Sequence, residues 1–103
     1  MKRLLVIALL AAGAALSQTA PKVDIARLDY GLAARLLAPG VWVVEGTNAD
    51  FSPANGCNII NTGFIATGAG VIVVNTGPSK RYGEQLRALI ERTVREPVVQ
   101  VIH

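Results

Sequence analysis

This 103-residue chain contains one cysteine and one histidine, and each scarcity closes off a class of chemistry. A single cysteine, Cys57, permits no internal disulfide. A metal centre built from side chains needs several ligands, which His103 and Cys57 alone do not supply. A nucleophile–base pair of Cys57 with His103 is formally available, but a lone cysteine beside an apolar strand is expected simply to be packed. Basic charge is scarcer than the formal net charge of +3 suggests. Setting aside residues 1–17, and with them two of the ten basic side chains, leaves 86 residues with eight basic against seven acidic. Nothing there makes the clustered basic face that a nucleic acid would need. The glycines Gly63, Gly68, Gly70 and Gly77 lack the spacing of a phosphate loop. Gly68-Ala69-Gly70 falls between two strand-like runs rather than ahead of a helix, so a dinucleotide site lacks its context.

The opening residues have the pattern of an export signal. Lys2 and Arg3 precede an apolar run from Leu4 to Leu16, and Ala15 and Ser17 are small residues at −3 and −1 of a cleavage point after Ser17. The run is shorter than the roughly 20 apolar residues of a comfortable membrane span, so a cleaved signal peptide over 1–17 is expected rather than an anchor. The mature chain is then exported, periplasmic or secreted, and meets the membrane only through the signal before cleavage. A small exported domain without a disulfide rests on a core that rarely supplies more than about 3–5 kcal/mol. The expectation is therefore that these residues belong to a larger fold.

Residues 18–36 read as a flexible N-terminal segment. Within it, Leu28, Leu32 and Leu36 recur every fourth residue and permit a short helix, weakened by Gly31. Pro39-Gly40 signals a turn, and Val41 to Glu45 is β-branched and aromatic, as in a strand. The stretch from Thr47 to Gly56 has the residues of a loop; its one large apolar side chain, Phe51, is expected to plug the core. Strands are predicted over Asn58–Thr67 and Val71–Asn75, joined by a glycine-containing hairpin loop. The continuous apolar run Val71–Val74 suits a strand covered on both faces.

Ser79 is the predicted N-cap of a helix. Tyr82, Leu86, Leu89, Ile90 and Val94 form its apolar stripe, with a charged, solvated outer face on which Glu91 and Arg95 are spaced for an ion pair. Gly83 costs roughly 1 kcal/mol relative to alanine in a helix interior and is expected to allow close packing on the sheet. Pro97 ends the helix, and Val98–Ile102 is the next strand, paired parallel to Val71–Asn75 across the crossover.

The ordered set of segments resembles the opening of metallo-β-lactamase-fold hydrolases. Leu37-Ala38-Pro39-Gly40-Val41-Trp42-Val43-Val44-Glu45-Gly46 looks like the first strand of that family. Asn58-Ile59-Ile60-Asn61-Thr62-Gly63-Phe64-Ile65 looks like the next. Gly70-Val71-Ile72-Val73-Val74-Asn75-Thr76-Gly77 resembles its Gly-x-x-x-x-Asp-Thr-Gly signature, and Pro97 to Ile102 is similar to the approach to its His-x-His-x-Asp-His metal loop. With Gly56-Cys57-Asn58 ahead of the second strand, the closest resemblance is to the zinc metallohydrolases associated with quinoprotein dehydrogenases.

The resemblance implies an α/β fold, the N-terminal half of an αββα sandwich over residues 37–103. It also implies a zinc-dependent parent that hydrolyses a small-molecule ester, amide or thioester through a metal-activated hydroxide. The zinc ligands would follow His103, and His103 itself would precede them. No catalytic, cofactor-binding or metal-ligating residue is then expected within residues 1–103. Asn75, Thr76 and Gly77 would support the site from beneath, as groups behind a metal's ligands do. Asn75 departs from the family's Asp and lacks its charge. Two other expectations therefore stand beside the hydrolase: a non-catalytic accessory component of a periplasmic quinoprotein redox system, and a free-standing secreted α/β module.

Overall fold

The computed structural model describes residues 23–103, so the expected signal peptide over 1–17 lies outside the described residues. The fold is α/β. Five strands, β1 (Ala34–Ala38), β2 (Val41–Val44), β3 (Thr62–Ala66), β4 (Val71–Val74) and β5 (Val98–Ile102), form one sheet in that order. Helix α1 (Lys80–Thr93) crosses between β4 and β5. The first four strands pair antiparallel, and β5 pairs parallel to β4. One helix on one face of one sheet is the composition of half an αββα sandwich.

The helix forms where its stripe and cap predict it. Ser79 Oγ accepts a hydrogen bond from the Tyr82 backbone N–H at 3.0 Å, which satisfies one of the free donors of the first turn. Tyr82, Leu86, Leu89 and Ile90 are buried against Val44, Phe64, Val71 and Val73 of the sheet, with Val94 half-buried at the edge of the cluster. Trp42 stacks on Phe64 with ring centroids 5.2 Å apart. Because the helix ends at Thr93 and Val94 is its cap, Arg95 lies beyond the last turn. Glu91 therefore pairs backwards with Arg87 at 3.4 Å rather than with Arg95.

Three segments differ from their sequence pattern. Residues 28–33 are an extended arm leading into β1, not a helix. Gly31 takes φ of +60°, outside the helical region. The arm's polar backbone is paired with α1 instead: Gln85 Nε2 donates to the Leu28 carbonyl at 2.7 Å, and Gln85 Oε1 accepts from the Tyr30 N–H at 2.8 Å. Burial alternates from residue 28 to 35; a spacing of four is also even, so the leucines fit a period of two equally well. Strand β3 starts only at Thr62, because residues 58–61 wrap around Gly46. A Cβ on Gly46 would lie 2.5 Å from the Ile60 carbonyl oxygen. Phe51 is 70% exposed and plugs nothing.

Coverage of the sheet is one-sided. Val41, Ile65 and Ile72 share register on the face opposite α1, and Val43, Gly63, Val74 and Ile102 form the next row. Val74 and Ile102 are 43% and 46% exposed, and all five residues of β5 are exposed. Only the helix-facing side of the Val71–Val74 run is covered among the described residues.

Gly83 does not serve close packing, since a Cβ there would meet no atom within 4 Å. Gly83→Ala should therefore raise the unfolding free energy by about 0.5–1 kcal/mol. Urea denaturation followed by circular dichroism measures it, and no gain would mean that the glycine is serving something other than the helix.

Candidate functional site

The strand-end loop after β4 holds the three residues expected to support a site, and the structure brings His103 beside them. This is the carboxyl end of two parallel strands, where open α/β sheets form their ligand crevices. Asn75 leaves the strand in a left-handed conformation, φ +65°, a region that asparagine tolerates better than most residues. Its backbone N–H still donates to the Ile102 carbonyl at 2.7 Å, tying the loop to β5. Asn75 Oδ1 accepts from the Thr76 N–H at 2.8 Å, and Asn75 Nδ2 donates to the Asn61 carbonyl at a long 3.4 Å. Thr76 Oγ1 lies 3.4 Å from His103 Nδ1. That is outside the 2.6–3.2 Å of a nucleophile and its base, so the pair is a neighbour contact rather than an activated hydroxyl.

Gly77 is again left-handed, with φ of +78°, and lies over the Tyr82 ring; a Cβ at Gly77 would collide with Tyr82 Cδ1. Tyr82 is fully buried, and its hydroxyl is 2.8 Å from Thr62 Oγ1. Burial pushes the Tyr82 phenol above its ordinary pKa, an effect opposed by the Thr62 hydrogen bond and reinforced by Tyr30 nearby. The Tyr30 ring meets Tyr82 edge-on at 5.2 Å. The Tyr30 hydroxyl is 2.8 Å from Ser79 Oγ and donates to the Gly56 carbonyl at 3.2 Å. This chain of hydroxyls fastens the 47–61 loop and the N-terminal arm to the start of α1. Ser79 was legible as a cap, whereas no spacing in the sequence announces that Tyr30 and Thr62 converge on the same tyrosine.

Cys57 is not a partner of His103. It sits in a turn at φ of +61°, with its N–H donating to Asn55 Oδ1 at 2.9 Å, while the His103 ring faces Thr76. Asn58 is buried, and its Oδ1 has no hydrogen-bond partner. From Thr76 a groove of about 480 Å³ runs between α1 and β5, lined by Val73, Leu86, Ile90, Val98 and Val101. Among the described residues, no three His, Cys, Asp or Glu side chains come together as a metal-binding group. The loop thus offers a hydroxyl, one imidazole and a carboxamide beside an apolar groove.

No protein-family model and no curated protein matches this chain.

Two outcomes test the architecture beneath this loop. Gly77→Ala imposes both a left-handed alanine and a collision with a buried ring, and should cost roughly 2–5 kcal/mol; a loss under 1 kcal/mol in urea denaturation would contradict the contact. The pH dependence has a defined sign. The folded state holds the Tyr82 proton more tightly than the unfolded chain does. This contribution is therefore complete below the ordinary tyrosine pKa of about 10 and is lost as pH rises through the raised folded value. Unfolding free energy should fall as pH climbs past about 10, and less steeply in Tyr82→Phe. Parallel curves for the two proteins would exclude Tyr82 as the source.

Proposed function

We propose that this chain forms the first α/β layer of an exported, zinc-dependent hydrolase of the metallo-β-lactamase fold that acts on a small-molecule substrate. The metal ligands would be supplied by residues other than 1–103. One observation supports this reading above the rest: the sheet carries a second apolar face, with Val74 and Ile102 nearly half exposed and Ile72 partly so. A sheet with two apolar faces is made to lie between layers, and a sandwich of two such halves would cover it. The order of β3, hairpin, β4, α1 and parallel β5 agrees with the family's opening elements.

The residues present do not fit a zinc site of their own. A catalytic zinc takes three protein ligands from histidine, cysteine or carboxylate side chains, whereas the strand-end loop has Asn75, Thr76, Gly77 and a single imidazole. No reaction step is assigned to them. Their part in this reading is to set the path of the chain at the strand ends: Asn75 bridges β4 to β5, and Gly77 lets the loop close over Tyr82.

Asn75 favours a second reading, a non-catalytic accessory component of a periplasmic quinoprotein redox system. Its contacts are all hydrogen bonds to backbone atoms, and a neutral side chain gives no electrostatic support to a nearby cation.

Sequencing the gene past the His103 codon, followed by zinc analysis of the encoded product, separates these readings. The hydrolase expects an open frame that enters a His-x-His-x-Asp-His loop and a product that retains zinc through dialysis. An open frame with that cluster eroded, and no retained zinc, belongs to the accessory protein. A stop codon directly after His103 would end both sandwich readings.

A further inference from the structure

The loop between β2 and β3 contains the dipeptide Asn55-Gly56. Glycine has no Cβ to shield its amide nitrogen, so in an open chain this nitrogen can attack the carboxamide that precedes it. Gly56 N bonds to Asn55 Cγ and gives up its proton, the Cγ–Nδ2 bond breaks, and ammonia leaves behind a succinimide ring. Water then opens the ring at one carbonyl or the other, giving aspartate or isoaspartate. The remaining asparagines, Asn48, Asn58, Asn61 and Asn75, precede Ala49, Ile59, Thr62 and Thr76, whose side chains crowd the attacking nitrogen.

The fold engages the groups of this reaction in other hydrogen bonds. Asn55 Oδ1 accepts from the Ser52 N–H at 3.1 Å and from the Cys57 N–H at 2.9 Å. Asn55 Nδ2 donates to the Asp50 carbonyl at 2.8 Å, and the Asn55 N–H donates to Ser52 Oγ at 3.2 Å. The nucleophile is also engaged: the Gly56 N–H donates to the Pro53 carbonyl at 3.2 Å, and Gly56 is buried. Ring closure would require the carboxamide to swing onto Gly56 N, which breaks its three side-chain hydrogen bonds and frees the Gly56 amide.

We infer that Asn55 is a latent deamidation site that the 50–57 loop keeps unreactive, so that its conversion records opening of this loop. The product is not neutral for the fold. An acid at position 55 loses the donor to the Asp50 carbonyl and sets a negative oxygen against it. The loop also presents the Gly56 carbonyl to Tyr30, whose hydroxyl contacts the α1 cap Ser79. Deamidation therefore loosens the anchorage of the helix start, and it does so irreversibly.

The test follows Asn55 by peptide mapping and mass spectrometry, with the full chain incubated at mildly alkaline pH, folded and in urea. Conversion at Asn55 should be about tenfold or more slower in the folded protein, as expected for a reaction gated by local opening. The other four asparagines should stay slow in urea and serve as internal standards. Ser52→Ala removes the hydroxyl that holds the Asn55 N–H, so it should speed conversion in the folded state and leave the urea rate unchanged. Equal rates for folded and urea-treated wild type, in a sample whose circular dichroism shows it folded, would overturn the inference. So would a Ser52→Ala protein that is folded and converts no faster than wild type.

Discussion

Tyr82 is the side chain on which the rest of the domain depends. It is fully buried where helix, sheet and N-terminal arm meet. Burying a tyrosine supplies a large apolar contact but strands a hydroxyl, which costs free energy unless it is paired. Thr62, at the start of β3, supplies that pairing. The ring then fixes what can lie above it: Gly77 must be glycine, because the ring occupies the space of a Cβ. Its edge contact with Tyr30 fixes the arm, and its N–H donates to the capping Ser79 Oγ. One residue thus couples the loop after β4, the first turn of α1 and the path of residues 28–33.

Strand β5 is attached by less. Among the described residues β4 is its one strand neighbour, and its four large apolar side chains are between 40% and 59% exposed. Two local devices hold its beginning. Gly70 lies against Val99, where a Cβ would be 2.5 Å from a methyl group, and the Gly70 N–H donates to Glu96 Oε1 at 3.1 Å. Its far end is tied through Asn75 to the Ile102 carbonyl. A strand with few buried apolar contacts opens at lower free energy than the core, and its outer edge presents unpaired backbone groups. A second layer over the bare face would bury apolar side chains of β5 and so raise the free energy of its opening, which is why β5 and the bare sheet face belong to the same physical argument.

The elements legible in the sequence were those whose pattern has a single explanation. A stripe at Tyr82, Leu86, Leu89 and Ile90 fits only a helix, and Ser79 before it fits only a cap. The β-branched runs at 41–44, 71–74 and 98–102 have strand composition and length, bounded by turn residues. The misread segments each had two explanations. Leucines four apart satisfy both a helix and an alternating strand, and the choice fell to contacts with Gln85, 57 residues from Leu28. Asn58 to Asn61 looked like strand because Ile59 and Ile60 are β-branched, but the close approach of Gly46 bends the chain there. Glu91 was matched with Arg95 by spacing alone, which carries no information on where the helix ends. At the strand-end loop, the sequence placed Asn75, Thr76 and Gly77 together by adjacency. That His103 comes to the same end follows from the parallel crossover, whereas Tyr82 beneath Gly77 depends on tertiary packing that no local pattern encodes.

The residue at position 75 divides its work between shape and charge, and the structure separates the two. The left-handed turn, the N–H to Ile102 and the oxygen that accepts from Thr76 are all within reach of either asparagine or aspartate, since both tolerate this backbone region and both carry an Oδ1 acceptor. Only the 3.4 Å contact to the Asn61 carbonyl requires the carboxamide nitrogen, and at that length it is weak. The geometry of the loop therefore does not select between them. A carboxylate there would be favoured only by a cation within a few ångströms, and His103 meets this loop at Thr76 rather than at Asn75. Shape at position 75 is a property of this domain, whereas charge at position 75 answers to whatever lies above the strand ends. The asparagine is thus compatible with the fold in either reading and costs something only where a metal is to be held.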